Sequence, residues 1–406
     1  MMAYKRKAKL GVIGCGELTT GDLFGHLKYI SELHQGGYLE LAAVCDAVEQ
    51  KARVTGEKYN VPYYTDLEKM LSTDLDCVYI ATPDYTHHYI CKIAAEHGKH
   101  FVVEKPMAIS LSCCDVIINA AKKAGVYFEV AENYFRTPNE RVIKMAIQKG
   151  LIGDVRRVYV IPGSLRMQSR PATRDFCWLV SGTVSLHDMG VHQMSQLKTF
   201  AISNPSFVRG TIQKGKGGWP EWGLAEVEFE NGVIGVIEDT FGEGAVETPY
   251  RKVVGTNGCI YSFGIFCGAS DMGGSMKILL VDDSGKVQEV PIVKKVRQIG
   301  DKSYLDSITL ETKPEITYTN PYRDCVSGEW GVGVAEEIMS IANAAVNDIP
   351  PEYGIEGRKD LEMTIAMIES GLTNHPVKLP IEYETSWEKT LHEAYKKHFG
   401  KDPLKI

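Results

Sequence analysis

The chain has 406 residues, 44% of them hydrophobic and 24% charged, with a formal net charge of -7. That length suits two domains, each with enough chain to bury a core. The acidic balance argues against a general nucleic-acid binder, which would carry a basic face. No apolar run approaches the 18 or so residues that a membrane-spanning helix needs. The basic start, MMAYKRKAKLGVIG, passes straight into strand-like sequence without a signal-peptide core. Ten cysteines are scattered without a CxxC pair. They fit reduced thiols in a cytoplasmic enzyme better than a zinc ribbon or a disulfide framework.

Up to about residue 150, short apolar runs alternate with helical patterns. Strands are expected at Lys9–Gly14, Leu39–Cys45, Cys77–Ala81, His100–Val103 and Tyr127–Ala131, with helices near Asp66–Leu71, His88–His97 and Cys114–Ala124. Such alternation predicts βαβ units around a parallel sheet. Later strand patterns follow one another through glycine-rich turns: Val155–Pro162, Leu224–Phe229, Gly232–Asp239, Tyr250–Gly255, Cys259–Phe263 and Lys277–Val281. These predict a large, mostly antiparallel open sheet in an α+β domain. Helices near Gly333–Asn347 and Gly357–Ser370 are expected to pack on one of the domains, and Tyr383–Ile406 reads as a last helix with a mobile end. The division expected is a Rossmann domain at 1–135 and an α+β domain at 136–406.

In LGVIGCGELTTGD, Gly14 and Gly16 follow a strand and precede a helix, the place where a dinucleotide pyrophosphate meets backbone. The third glycine of G-x-G-x-x-G is replaced by Thr19, at a position that serves helix–strand packing. Glu17 and Leu18, inside the same loop, are also candidate cofactor contacts. Asp46, at the end of the next strand pattern, is placed to accept hydrogen bonds from the adenosine ribose. It lies 30 residues beyond Gly16, more than the roughly 20 usual for such a unit, so the first helix or its loop is extended. No Arg or Lys adjoins Asp46 to hold a ribose phosphate, which favours NAD over NADP.

Four further stretches sharpen this reading: ATPDYTHH (81–88), VVEKPMA (102–108), VAENYFR (130–136) and SGTVSLHDMGVHQM (181–194). In this order the chain resembles the glucose–fructose oxidoreductase / inositol dehydrogenase (Gfo/Idh/MocA) family over roughly residues 8–375. The most diagnostic parts are Glu104-Lys105-Pro106 and Asp188-x-Gly190-x-His192. The resemblance implies an N-terminal Rossmann domain and a C-terminal domain whose sheet often serves oligomer packing. It also implies NAD(P)-linked redox chemistry on a secondary hydroxyl of a sugar or cyclitol. It puts Thr82, Pro83, His87 and Asn133 beside the cofactor, has Glu104 and Lys105 bridging nicotinamide and substrate, and completes the catalytic set with Asp188 and His192. A homo-oligomer (dimer, tetramer or hexamer) is the expected assembly. One departure stands out: members commonly carry a glycine triplet before the aspartate, whereas here Gly182-Thr183-Val184-Ser185-Leu186-His187 brings side chains and an extra histidine.

Oxidising an alcohol removes a hydride, which a nicotinamide takes, and a proton, which a side chain must take. Histidine starts near 6.5 and lysine near 10.4, so His192 is favoured as base, with Lys105 binding the reacting oxygen. The reverse assignment stays open. Asp188, four residues before His192, shares its helical face and can orient substrate or imidazole. A metal set drawn from His87, His88, His187, Asp188 and His192 is the weaker reading, because His187 and Asp188 diverge on a helix.

The segment GSLRMQSRPATRDFCWLV (163–180) brings Arg166, Arg170, Arg174 and Trp178 toward the expected substrate pocket, an aromatic face suiting the C–H face of a sugar. GGWPEWG (217–223) reads either as a pocket rim or as a packed hairpin turn. The favoured substrate is a ring hydroxyl of a sugar or glycoside, with carbon 3 an attractive position. Open beside it are an inositol dehydrogenase, a glycoside-cleaving enzyme that recycles its NAD, and a non-catalytic sugar or NAD sensor.

Overall fold

The computed structural model describes residues 6–22, 25–161, 176–181, 186–215, 217–240, 250–263 and 275–405. Six parallel strands form the first sheet: β1 (Ala8–Ile13), β2 (Leu39–Cys45), β3 (Tyr63–Tyr64), β4 (Cys77–Ile80), β5 (His100–Glu104) and β6 (Phe128–Ala131). They lie in the order β3-β2-β1-β4-β5-β6, so the order reverses between β1 and β4. Ligands of doubly wound sheets sit outside the strand ends at such a reversal. The helices among them are α1 (Glu17–Thr20), α2 (His26–Gln35), α3 (Glu49–Tyr59), α4 (Leu67–Leu71), α5 (Asp84–Glu96) and α6 (Leu111–Ala124).

Local chemistry sets these elements. Every residue of β4 is buried, as expected of a strand covered on both faces. Ser110 caps α6 by accepting from the Cys113 amide, and left-handed Gly125 ends it, the usual pairing of a hydroxyl cap with a terminal glycine. The helix after the glycine loop is split into α1 and α2, which accounts for the long interval to Asp46.

The second sheet contains β7 (Val155–Ile161), β8 (Pro205–Lys214), β9 (Pro220–Phe229), β10 (Ile234–Thr240), β11 (Tyr250–Gly255), β12 (Gly258–Phe263), β13 (Ser275–Val281), β14 (Val287–Glu289) and β18 (Val377–Lys378). Its order is β14-β13-β12-β11-β7-β10-β9-β8-β18. β7 and β10 run parallel; the other described neighbours are antiparallel. A smaller antiparallel sheet, β15 (Ile292–Ile299), β16 (Lys302–Leu310) and β17 (Ile316–Thr319), was not anticipated. Strand β15 is largely exposed and carries two adjacent lysines, so the apolar run that reveals a strand is missing there, while β16 and β17 bury Leu305, Ile308, Leu310, Ile316 and Tyr318.

The remaining helices are α7 (Pro138–Gln148), α8 (Phe176–Ser181), α9 (Leu186–Ala201), α10 (Glu329–Asn347), α11 (Gly354–Thr373) and α12 (Ser386–Phe399). Helix α9 is buried almost throughout and packs on β7, β9 and β10 beside α11. Helix α10 returns to the first sheet, against β1, β4, β5, β6 and α2. The segment after α12 docks at Pro403: its carbonyl lies 2.9 Å from His88 Nε2, and Pro403 is buried. Among the described residues, no helix is long and apolar enough to cross a membrane.

Candidate active site

Five strand ends of the first sheet supply one wall. After β1, Gly14 adopts φ +101°, and a Cβ there would lie 2.4 Å from the Ala81 carbonyl oxygen. Only glycine fits that approach. A Cβ on Gly16 would meet nothing within 4 Å, leaving open space over the loop, as a phosphate-bearing ligand requires. Glu17 and Leu18 are exposed at the lip on α1. After β2, Asp46 accepts from the Cys15 amide through Oδ2 and from the Val48 amide through Oδ1, both at 2.8 Å. Asp46 therefore fixes the glycine loop, and each oxygen keeps a lone pair for a ribose hydroxyl. These features fit a bound dinucleotide.

After β4, Thr82 and Pro83 are half-buried in the turn that opens α5. His87 is held between two backbone carbonyls. It is buried, with Nε2 2.9 Å from the Thr82 carbonyl and Nδ1 3.0 Å from that of Pro106. It staples the β4 turn to the lysine turn. Burial lowers its pKa against the pull of those carbonyls, and a neutral ring donates to one of them at a time.

After β5, Glu104 and Lys105 part company. The Glu104 carboxylate is buried, accepting from Tyr79 Oη at 2.5 Å and from the Lys105 amide at 3.2 Å. It stands with His26 and Glu337 of α10, their donor atoms within 4.8 Å of one another. Burial pushes its pKa up to about 7. Glu104 thus supports the strand tip from inside, and the sequence could not show α10 arriving with Glu337, 233 residues later. Lys105 faces outward, its Nζ 3.3 Å from Asp188 Oδ1 and 3.6 Å from Met189 Sδ. Burial works against its charge, but Asp188, Glu104 and Glu132 together outweigh that and raise its pKa. Lys105 is held as an ammonium.

Helix α9 supplies the facing wall with Asp188 and, one turn on, His192. His192 Nδ1 lies 2.9 and 2.8 Å from the two oxygens of Glu132. A carboxylate only accepts, so the ring proton sits on Nδ1 and Nε2 is the basic nitrogen. Tyr134 stacks flat on the imidazole, ring centroids 3.7 Å apart at 5°, while its amide donates to Glu132 Oε1 at 3.1 Å. Burial lowers the His192 pKa, partly offset by Glu132. The ring is neutral and oriented.

Glu132 was missed, although it follows β6 at the same strand-tip position that drew attention to Asp46 and Lys105. Asn133, beside it, is buried, and its Oδ1 has no partner among the described residues. Asp84 was missed too. Its Oδ1 accepts from the Phe176 amide at 2.7 Å and the Tyr85 amide at 2.8 Å, tying the cofactor side to α8. Burial, then the charge of Asp188, pushes its pKa up to about 7.

The other histidines considered as metal ligands have separate partners. His88 meets Pro403, and His187 accepts from Trp387 of α12. Trp219 packs edge to face on Trp387, centroids 5.1 Å apart, which sets the GGWPEWG turn against α12. Arg166, Arg170, Arg174 and 182–185 lie outside the described residues, as does the side chain of Trp178 on α8.

The glycine loop, the lysine turn and the Asp188/His192 helix all fall inside regions that match known families. Residues 8–132 match the oxidoreductase family's NAD-binding Rossmann fold, and residues 141–261 match the GFO/IDH/MocA C-terminal domain. The chain belongs to the Gfo/Idh/MocA family. Among curated relatives, it is 27% identical over 247 residues to the uncharacterized oxidoreductase YrbE of Bacillus subtilis, covering 57% of this chain and 66% of that one. It is 28% identical over 242 residues to myo-inositol 2-dehydrogenase of Thermotoga maritima, covering 57% and 68%. The chain thus spans about two thirds of the length of these relatives. Levoglucosan dehydrogenase, solved with NADH and levoglucosan, superposes with a TM-score of 0.71 over 93% of this chain and 100% of that one at 18% identity, a likeness of fold.

Proposed function

We propose that this Gfo/Idh/MocA member is an NAD-dependent oxidoreductase acting on a secondary ring hydroxyl of a sugar or glycoside, carbon 3 being the position we favour. The observation that carries the reading is the dyad Glu132–His192, one helical turn from the Lys105–Asp188 pair. NAD, when bound, supplies the hydride acceptor. The chain's own part is proton handling and positioning. His192 Nε2 takes the hydroxyl proton while Nδ1 keeps its own proton toward Glu132. Lys105, held positive by three carboxylates, donates to the reacting oxygen and stabilises negative charge as it develops there. Asp188 holds the ammonium in place and offers its second oxygen to a neighbouring hydroxyl.

This assigns His192 rather than Lys105 as base, on two supports. A lysine whose pKa is raised gives up its proton reluctantly, whereas a buried neutral histidine needs no activation. Asp46 and the absence of an adjacent cation favour NAD over NADP. Relatives named myo-inositol 2-dehydrogenase and levoglucosan dehydrogenase support a polyol or sugar substrate. A cytoplasmic location and a homo-oligomeric assembly belong to the same proposal.

The test is a screen of free sugars, inositols and plant-type glycosides that follows NADH and products together. Release of NADH in step with a ketone product supports the dehydrogenase. Glycosidic cleavage without net NADH would replace it with the NAD-recycling alternative, and NAD binding without turnover on any class would replace it with a sensor.

A further inference from the structure

The extra histidine before Asp188 has a place in the fold. His187 is fully buried, and its Nδ1 accepts the indole N–H of Trp387, on α12, at 3.1 Å. An indole nitrogen only donates, so the proton of the neutral imidazole sits on Nε2. One neutral ring thus joins α9 to the C-terminal helix, next to the aspartate that holds Lys105.

Trp387 is itself firmly set. Its amide donates to Glu369 Oε2 at 3.1 Å, and Thr385 and Glu388 close a capping box around the start of α12. Glu388 also accepts from the Leu111 amide at 2.9 Å, and His392 Nε2 lies 2.8 Å from Ser110 Oγ. Both contacts fall directly after the lysine turn. Phe176, whose amide Asp84 holds, packs against Tyr395 and Phe399 with centroids 5.7 and 6.3 Å apart. Helix α12 therefore braces the catalytic helix, the lysine turn and the start of α8 from one side.

We propose that Trp387 is a positioning residue for the Lys105–Asp188 pair, acting through His187 by fixing the neutral tautomer that ties the start of α9 to α12. This rests on the function proposed above, but its first test does not need turnover. In ¹⁵N-histidine spectra of the whole wild-type chain at neutral pH, His187 is expected neutral and protonated on Nε2. A ring protonated on Nδ1, or cationic, overturns the proposal. In turnover, Trp387→Phe and His187→Leu are expected to lower kcat about tenfold, the scale of one hydrogen bond lost, with the Kd for NAD unchanged. His187→Gln, which can accept and donate at once, is expected to recover most of that loss. Wild-type kcat in Trp387→Phe, or an equal loss of NAD affinity, would overturn it. Should a variant fail to fold, the wild-type tautomer and the Gln/Leu comparison still decide. If no sugar is oxidised at all, the proposed function fails, while the tautomer and the Lys105 ammonium signal in Trp387→Phe still report on the bracing role.

Discussion

The two walls of the site are built on different principles. On the first sheet, the chemical groups stand at strand ends, where the chain leaves the sheet beside the crevice: Gly14, Asp46, Lys105 and Glu132. Each is positioned by its own strand and the turn after it. On the facing wall, Asp188 and His192 sit in a helix that is buried on nearly all sides. They owe their orientation to partners far away in sequence: Lys105 for Asp188, and Glu132 with Tyr134 for His192. The first wall is fixed by topology, the second by side-chain contacts. Substitutions on the first wall should therefore split cleanly into binding or chemistry, whereas those on the second should disturb a shared network.

The sharpest challenge to this contrast is His192→Ala. Loss of the proposed base is expected to lower kcat/KM by about 10²–10⁴-fold, with NAD affinity unchanged, measured by steady-state rates and a separate NAD titration. A comparable loss in NAD binding would place His192 in cofactor binding rather than chemistry. Lys105→Met comes next. Losing a charged donor to the reacting oxygen is expected to cost roughly 10²–10³-fold in kcat, with the same NAD control. Full turnover without the ammonium would remove Lys105 from the chemistry.

The contrast also explains what could be read from sequence. Strand-tip groups are local facts: an apolar run followed by Asp46 or Lys105 announces itself, and five of the six strands of the first sheet appeared within a few residues of where the alternation of apolar and polar segments put them, the two-residue β3 being the exception. Network groups are not local. Glu132 was visible as a strand-end acid in VAENYFR, but nothing nearby says that it meets a histidine 60 residues later. Glu104 looked like a ligand contact beside Lys105, and only the arrival of Glu337 on α10 shows that it faces inward. His187 looked like a disturbance of the substrate loop until Trp387, 200 residues on, supplied its donor. Strand β15, with Lys294 and Lys295 at its centre, escaped because it is largely exposed and shows no apolar alternation.

Glu132→Gln sharpens the comparison at the junction of the two walls. The amide oxygen can still accept from Nδ1, so the ring keeps its tautomer, but the negative charge is gone. That charge stabilises the imidazolium and raises the His192 pKa, which burial holds below the ordinary value. Removing it lowers the pKa further. A weaker base transfers the proton more slowly, so kcat is expected to fall about tenfold, the effect of roughly one pKa unit or 1.4 kcal/mol. The acid limb of the kcat/KM profile, where rate falls as His192 gains a proton, is expected to move to lower pH. A limb that stays in place would disconnect Glu132 from the titrating group.

The smallest effect is expected on the first wall, from Asp46→Ala. The carboxylate joins the Cys15 and Val48 amides at 2.8 Å each, so its loss frees the glycine loop and removes the proposed ribose acceptor together. One or two hydrogen bonds of ordinary strength correspond to about a tenfold rise in the Kd for NAD. Because Asp46 stands on a different strand from Lys105 and shares no partner with His192, kcat at saturating NAD is expected to stay near wild type. A fall in kcat at saturating cofactor would mean that the glycine loop also sets the geometry of the facing wall, and the separation of the two walls into binding by topology and chemistry by network would no longer hold.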